Sequence, residues 1–450
     1  MNIYFIGIGG ISMSALAIIC HKSGHKVSGS DISPVKTLQK LNSMGIKTAI
    51  GHNKKDFSNI DLVVFNAAIS SDNPELVAAK EQNVPCVKRA QLLGSVMAEY
   101  PFGIAVSGMH GKTTATAMIA QILYQYDPTI HLGGEFELIG GNFRIGKSVY
   151  FVTEACEYKR NFLYLKPYIS IILNIDEDHM DYFKDLEDIQ DAFSEFAANT
   201  KRNGVVVVNG EDSRAVASAA LTMRRYLTYG IGEGFDYSAQ NLKTDPNGCY
   251  SFDFFKRDRK LCRINLKVAG KYNVYNALAA AVAANIFNIS PNKISSSLSA
   301  FRGVDRRYQY LGEYNGARII ADYAHHPNEI EVLIDTAKTQ SPYVIIIFQP
   351  HTYTRTLTLW EKFKNSLSKA DKIILLPVYA AREKLNPNAS GQKMCQELAL
   401  QGKQALYFEN FKECAEHLKQ TLKDGDLALI AGAGDIIDIK NYLISGAQKM

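Results

Sequence analysis

The sequence predicts an α/β protein of three domains built on mainly parallel sheets, and three observations carry that expectation. Its 450 residues exceed what one ordinary core holds and suggest about three domains of roughly 100 to 200 residues each. Short β-branched runs alternate with helix-length amphipathic segments along the chain, the pattern of parallel sheets with crossover helices. Each cluster of polar residues follows the carboxyl end of an apolar run, where open α/β sheets take their ligands.

In chain order, "NIYFIGIGG", "KVSGSD" and "DLVVFNAAI" are strands of a first unit, residues 1–99. A second unit, 100–302, opens with "GIAVSG", takes in "SVYFVTEA", "YISIILNID", "GVVVVNG" and "LCRINLKVAG", and adds the helix "NVYNALAAAVAANIF". The third, 303–450, has "ARIIADYAHHP", "YVIIIFQPH", "KIILLPVYAA" and "DLALIAGAGD", apolar runs that stop at polar residues.

With 46% hydrophobic and 21% charged residues, the composition is that of a soluble globular protein. The net charge of +5, from 50 basic and 45 acidic residues, is small and mixed, which argues against a nucleic-acid partner. "KRDRK" reads as a solvated hairpin edge. No run of about 18 apolar residues occurs, so no membrane span is expected. "MNIYFIGIGG" lacks a basic leader and a cleavage site, and reads as a first strand, not a signal peptide. Seven scattered cysteines without a C-x-x-C pair suggest reduced thiols and a cytoplasmic protein, expected as a monomer or homodimer.

The stretch "AVSGMHGKTTATAMIA" sets Gly108-Met109-His110-Gly111-Lys112-Thr113-Thr114 between a strand and a helix. The strict phosphate-loop motif wants a glycine where Val106 stands. Its physics survives: Gly108 and Gly111 free backbone N–H groups, Lys112 reaches phosphate oxygens, and a threonine opens a helix whose N-terminus favours anions. The bland alternative is a strand-to-helix turn with a solvated lysine. An earlier loop, Gly7-x-Gly9-Gly10-x-Ser12 with Asp31 at the end of the next strand, resembles a dinucleotide fingerprint with serine in place of the third glycine. NAD, a UDP-sugar, or a purely structural turn all fit it.

Glu154 ends the strand "VYFVTEA", where a carboxylate would hold magnesium on nucleotide phosphates. Asp176, Asp178, His179 and Asp181 follow the strand "YISIIL"; they suit a second Mg²⁺ or, more plainly, a helix cap. Arg306 and Arg307 would stabilise charge on a transferred phosphoryl group, or lie on the surface. Asp322, His325 and His326, with His351 and Arg355, form the polar ends of the third unit, suited to ligand orientation.

Together these residues resemble the Mur ligase family. The motifs "FIGIGGISMSALA", "GMHGKTTAT", "EACEYKRNFL", "NIDEDHMDYF", "GKYNVYNALAA", "FRGVDRRY", "DYAHHPNEI", "FQPHTYTRT" and "AGAGDI" follow in the family's order over nearly the whole chain. The resemblance implies an N-terminal Rossmann-like domain for a UDP-sugar, a central P-loop-type ATPase, and a C-terminal Rossmann-like domain for the amino acid. It implies ATP- and Mg²⁺-dependent joining of L-alanine to UDP-N-acetylmuramate through an acyl phosphate, in peptidoglycan synthesis. By the same resemblance Lys112 grips the β/γ-phosphates, Thr113 and Glu154 hold one Mg²⁺, His179 a second, and Asn276 contacts adenine. Asp322 and His325 would line a cleft between the central and C-terminal domains.

The chain departs from the family pattern at Met109 (usually Thr), Ser12 (Gly), Cys156 and Lys159 (Asp), and Thr352 (Arg). The last matters most for amino-acid choice, because an arginine clamps a carboxylate as threonine cannot. A paralogue using another amino acid, a nucleotide-binding regulator without turnover, and an NAD-dependent dehydrogenase are the competing readings.

Overall fold

A computed structural model describes residues 1–444 apart from 67, 181 and 382. Asp181, one of the acidic cluster, therefore lies outside the described residues. Three sheets of five, ten and six strands account for the alternation read from the sequence. Two compact units divide the chain. One comprises Met1–Leu242, Phe252–Asn265 and Tyr272–Phe301; the other comprises Lys243–Ser251, Leu266–Lys271 and the chain from Arg302 onward.

The first sheet has the order β3-β2-β1-β4-β5. Its strands are β1 (Asn2–Ile6), β2 (Lys26–Asp31), β3 (Lys47–Ile50), β4 (Leu62–Phe65) and β5 (Cys86–Lys88), all parallel. The chain leaves β1 toward β2 and returns on its other side as β4, so strand order reverses at β1. The loop carrying Gly7, Gly9 and Gly10 lies in the crevice that this reversal opens.

The second sheet has the order β15-β14-β13-β12-β11-β10-β6-β9-β7-β8. Its strands are β6 (Phe102–Ser107), β7 (Thr129–Phe136), β8 (Gly141–Arg144), β9 (Tyr150–Glu154), β10 (Ile169–Ile172), β11 (Val205–Asn209), β12 (Tyr226–Ile231), β13 (Tyr237–Thr244), β14 (Cys249–Lys256) and β15 (Arg259–Ala269). β6 lies between β9 and β10, parallel to both, and is buried from Gly103 to Ser107. It is the second reversal point, and the Gly108–Gly111 loop leaves its carboxyl end. Helix Ile11–Lys22, buried from Met13 to Cys20, packs on β7 and β8 as well as on β2. An apolar helix with two sheets to cover needs no polar face.

The third sheet has the order β16-β17-β21-β18-β19-β20. Its strands are β16 (Gln309–Tyr314), β17 (Ala317–Asp322), β18 (Val344–Phe348), β19 (Lys372–Leu375), β20 (Ala405–Tyr407) and β21 (Leu427–Ala431). Only the edge strand β16 runs antiparallel. β18 and β21 are buried along their whole length, as strands covered on both faces must be.

Candidate active site

Gly111 caps helix Lys112–Leu123 at φ +85°, and a Cβ there would lie 2.6 Å from Asn276 Oδ1. At Gly108, φ +137°, it would lie 2.9 Å from Leu173 Cβ. Both positions therefore require glycine, for conformation and for space. Asn174 holds the loop in shape: its Oδ1 accepts from His110 N (2.9 Å), its Nδ2 donates to His110 O (3.0 Å), and its backbone O accepts from Met109 N. Asn276 is buried behind Gly111 and its amide donates to Asn273 Oδ1. Thr114 is buried in the helix's first turn.

Lys112 Nζ donates to Gly108 O (2.6 Å) and Met109 O, and lies 2.9 Å from Glu157 Oε2. His179 Nε2 lies 3.2 Å from Glu157 Oε1 and 3.9 Å from Asp178. Burial alone would lower the lysine's pKa, but Glu157 outweighs it and holds the ammonium above its ordinary value. Burial raises Glu157, and Lys112 and His179 more than reverse that. The imidazole of His179, lowered by burial, is carried above its usual range by Glu157 and Asp178. Cys156 beside them is pushed up to about 11 by burial, which leaves an unreactive thiol.

Thr113 Oγ1 donates to Glu154 Oε2 at 3.0 Å, and Gly133 N donates to Glu154 Oε1 at 2.5 Å. His110 Nε2 lies 3.9 Å from Asp176. In the first loop Gly7 has φ +80°, and Gly9 N donates to Asp31 Oδ2 at 2.8 Å, so Asp31 braces the turn. Ser12 is more than a small residue here: its hydroxyl accepts from Arg89 Nη1 (2.9 Å) and lies 2.8 Å from His131 Nε2.

The second compact unit gathers the remaining residues at the carboxyl ends of its own strands. Asp322 accepts from Tyr308 N and Ala324 N, both at 2.7 Å, and burial pushes its carboxyl up to about 6. Arg306 and Arg307 lie over the Tyr323 ring at 4.9 and 5.0 Å, and Arg306 donates to Gly432 O and Gly434 O. His325 Nδ1 is 3.0 Å from Tyr323 O and 3.4 Å from Glu329, with its ring 6.0 Å from that of His351. His351 stacks on Tyr379 and meets Arg355 Nη1 at 3.5 Å.

Three family models cover the chain in order. "Mur ligase family, catalytic domain" matches residues 2–101, "Mur ligase middle domain" 106–284, and "Mur ligase, glutamate ligase domain" 306–434. The chain belongs to the Mur ligase family. This Mur ligase is 45% identical over 98% of its length, and 97% of the relative's, to a UDP-N-acetylmuramate–L-alanine ligase of Clostridium beijerinckii. It is 43% identical to a ligase of the same name from Caldanaerobacter subterraneus subsp. tengcongensis, covering 100% of this chain and 98% of that one. The solved UDP-N-acetylmuramate-alanine ligase of Thermotoga maritima superposes with a TM-score of 0.83 at 29% identity, covering 99% of this chain and 98% of that one.

For a divalent cation the donor chemistry of this Mur ligase fits. The Thr113 hydroxyl and Glu154 carboxylate are hard oxygens that meet beside Lys112. Among the described residues no three His, Cys, Asp or Glu side chains gather round one point. Phosphate oxygens and water would complete the set, the usual arrangement for Mg²⁺. Four residues of this Mur ligase escaped sequence reasoning: Asn174, Glu157, Arg89 and His131. Glu157 left a signal as the second acid of "EACE", and Asn174 as the first residue of "NIDEDHMDYF". At the departures, Lys159 lies over Tyr158 at 5.4 Å, and Thr352 has φ +66°, a strained backbone for a β-branched residue.

Proposed function

We propose that this chain is an ATP-dependent ligase that forms the amide between UDP-N-acetylmuramate and L-alanine in peptidoglycan synthesis. One observation supports this above the others: a lysine-bearing glycine loop at a strand-order reversal lies beside a threonine–glutamate pair, in a chain 45% identical end to end to a relative of that name. A carboxylate is a poor electrophile at neutral pH. Its oxygen attacks the γ-phosphorus of ATP, ADP leaves, the alanine amine attacks the resulting acyl phosphate, and inorganic phosphate departs as the C–N bond forms.

In this reading the segments 1–99, 100–302 and 303–450 take the UDP-sugar, ATP and the amino acid. The loop of Gly7, Gly9, Gly10 and Ser12 receives the sugar's diphosphate at the start of helix Ile11–Lys22, with Asp31 holding Gly9 N and bracing the turn. Gly108 to Thr114 cradle the ATP phosphates, Lys112 neutralises the β/γ oxygens, and Asn276, behind Gly111, contacts adenine. Thr113 and Glu154 would hold one Mg²⁺, and His179, once it gives up the proton it shares with Glu157, would hold a second; magnesium bound there would spread the charge of the transferred phosphoryl group. Arg307 stabilises charge on the transferred phosphoryl group, and Asp322, His325, His351 and Arg355 orient the amino acid and the acyl group. An ATP-consuming step by a protein whose cysteines are all free thiols belongs in a reducing cytoplasm.

Phosphate release from ATP with UDP-N-acetylmuramate, across a panel of amino acids and with or without Mg²⁺, tests the proposal. L-Alanine should give the highest kcat/KM. Release with glycine or serine alone would move the chain to another acceptor, the reading that Thr352 in place of arginine favours.

A further inference from the structure

A continuous string of hydrogen bonds runs from the glycine loop after β1 to the end of β9. Arg89 Nη1 donates to Ser12 Oγ at 2.9 Å, and Ser12 Oγ lies 2.8 Å from His131 Nε2. His131 Nδ1 lies 3.0 Å from Thr153 Oγ1, which donates to Glu154 O at 3.1 Å. The ends of the string fix its direction, because a guanidinium only donates and a carbonyl oxygen only accepts. Ser12 accepts from Arg89 with one lone pair. Thr153 gives its proton to Glu154 O, so it accepts from Nδ1, and Nδ1 carries the ring's hydrogen. In a neutral ring Nε2 then accepts the Ser12 proton, and every member of the string is paired. Burial first, and then the charge of Arg89, push His131 down to about 3, in keeping with a neutral ring.

The string connects two functional segments that are far apart in sequence. Ser12 opens the helix behind the first glycine loop, whereas His131 sits on β7 in register with Thr153 on β9. Two residues further along β7, Gly133 N holds the Glu154 carboxylate. A shift of His131 would therefore move the first loop relative to the acid that faces Thr113. An apolar side chain could fill the space at 131, which is 4% exposed, but it would take the ring partner from the part-buried Ser12 hydroxyl and the buried Thr153 hydroxyl.

We infer that His131 is a positioning residue for the reaction, fixing the loop that receives the UDP-sugar against the carboxylate that faces the ATP phosphates. This rests on the function proposed above, because both ligands belong to that reading. The cost of losing it falls on the transfer step, since reactants misplaced by about 1 Å lose up to about 10²-fold in rate.

Two measurements test the inference. In ligand-free, ¹⁵N- and ¹³C-histidine-labelled full-length enzyme, His131 should show the neutral Nδ1–H tautomer; an Nε2–H tautomer or an imidazolium at pH 7 overturns the string. In the second, His131→Phe should bind UDP-N-acetylmuramate and a nonhydrolysable ATP analogue by calorimetry within about threefold of wild type, while kcat falls about 10- to 10²-fold. His131→Gln, whose amide oxygen can accept from Ser12, should recover most of that loss. An unchanged kcat in His131→Phe, or a Gln variant as slow as the Phe variant, overturns the inference. If wild type releases no phosphate with UDP-N-acetylmuramate, the function itself fails, and the tautomer measurement still judges the string separately.

Discussion

Lys112, Glu157 and His179 form one electrostatic unit in which no member has its ordinary affinity for protons. Lys112→Ala should lower turnover by at least about 10²- to 10³-fold, the cost of removing one preorganised donor from a transition state, with an unchanged circular dichroism spectrum. A mutant that keeps most of its activity would dismiss the phosphate assignment. The same unit makes stability depend on pH in a defined direction. Glu157 is held below its ordinary 4.5, so its contribution is present above that value and is lost as pH falls through the lower, folded value. Lys112 is held above its ordinary 10.5, so its contribution persists below that value and is lost as pH rises through the higher one. Glu157→Gln should therefore melt earlier than wild type at neutral pH, with the two melting curves converging below pH 4.5. Parallel curves throughout the acid range would contradict the pairing.

At the scale of elements, the phosphate loop is shaped from outside itself. Helix Lys112–Leu123 begins at a left-handed glycine, and the turn before it hangs on Asn174 from the segment after β10. Asn174→Ala would leave the His110 amide and carbonyl without their partner, at a cost of about 1–3 kcal/mol each where they stay buried. It should weaken binding of an ATP analogue more than that of UDP-N-acetylmuramate, as calorimetry would show; equal losses would mean that the strut serves the whole fold. Gly111→Ala forces φ +85° on a side chain and drives its Cβ against Asn276 Oδ1. Strain of about 1–2 kcal/mol from the conformation alone should appear as a lower melting temperature even without ligand. An unchanged melting temperature would show that the loop relaxes freely.

On the scale of the whole molecule, the chain divides into two compact units, each with its own buried clusters. Unfolding of such a chain need not be two-state, and calorimetry should resolve two transitions. Phe348, fully buried in the second unit, gives a direct check. Phe348→Ala removes about 3–5 kcal/mol of packing and should lower one transition while leaving the other in place. A single transition that moves as a whole would mean that the units unfold together.

The sequence by itself determined the buried central strands, their parallel class and both glycine turns, because these depend on apolar runs and on conformations only glycine adopts, whereas β3, β5, β7, β8, β12, β13, β14, β16 and β20 carried no such run and went unread. It also marked Lys112, Thr113, Glu154 and His179 as a chemical set, since each follows an apolar run that must end at a sheet's carboxyl edge. Ser12 shows where that legibility stops. A serine in a glycine's place reads from sequence as a small residue, yet the fold sets its hydroxyl between Arg89 and His131. His131, Glu157 and Asn174 meet Thr153, Lys112 and His110 only when β7, β9 and β10 close around β6, and Arg89 meets Ser12 only when its helix packs beside Ile11–Lys22. Hydrogen-bond partners tens of residues away carry no periodic signal, so only the tertiary structure decided which polar groups hold the site in place.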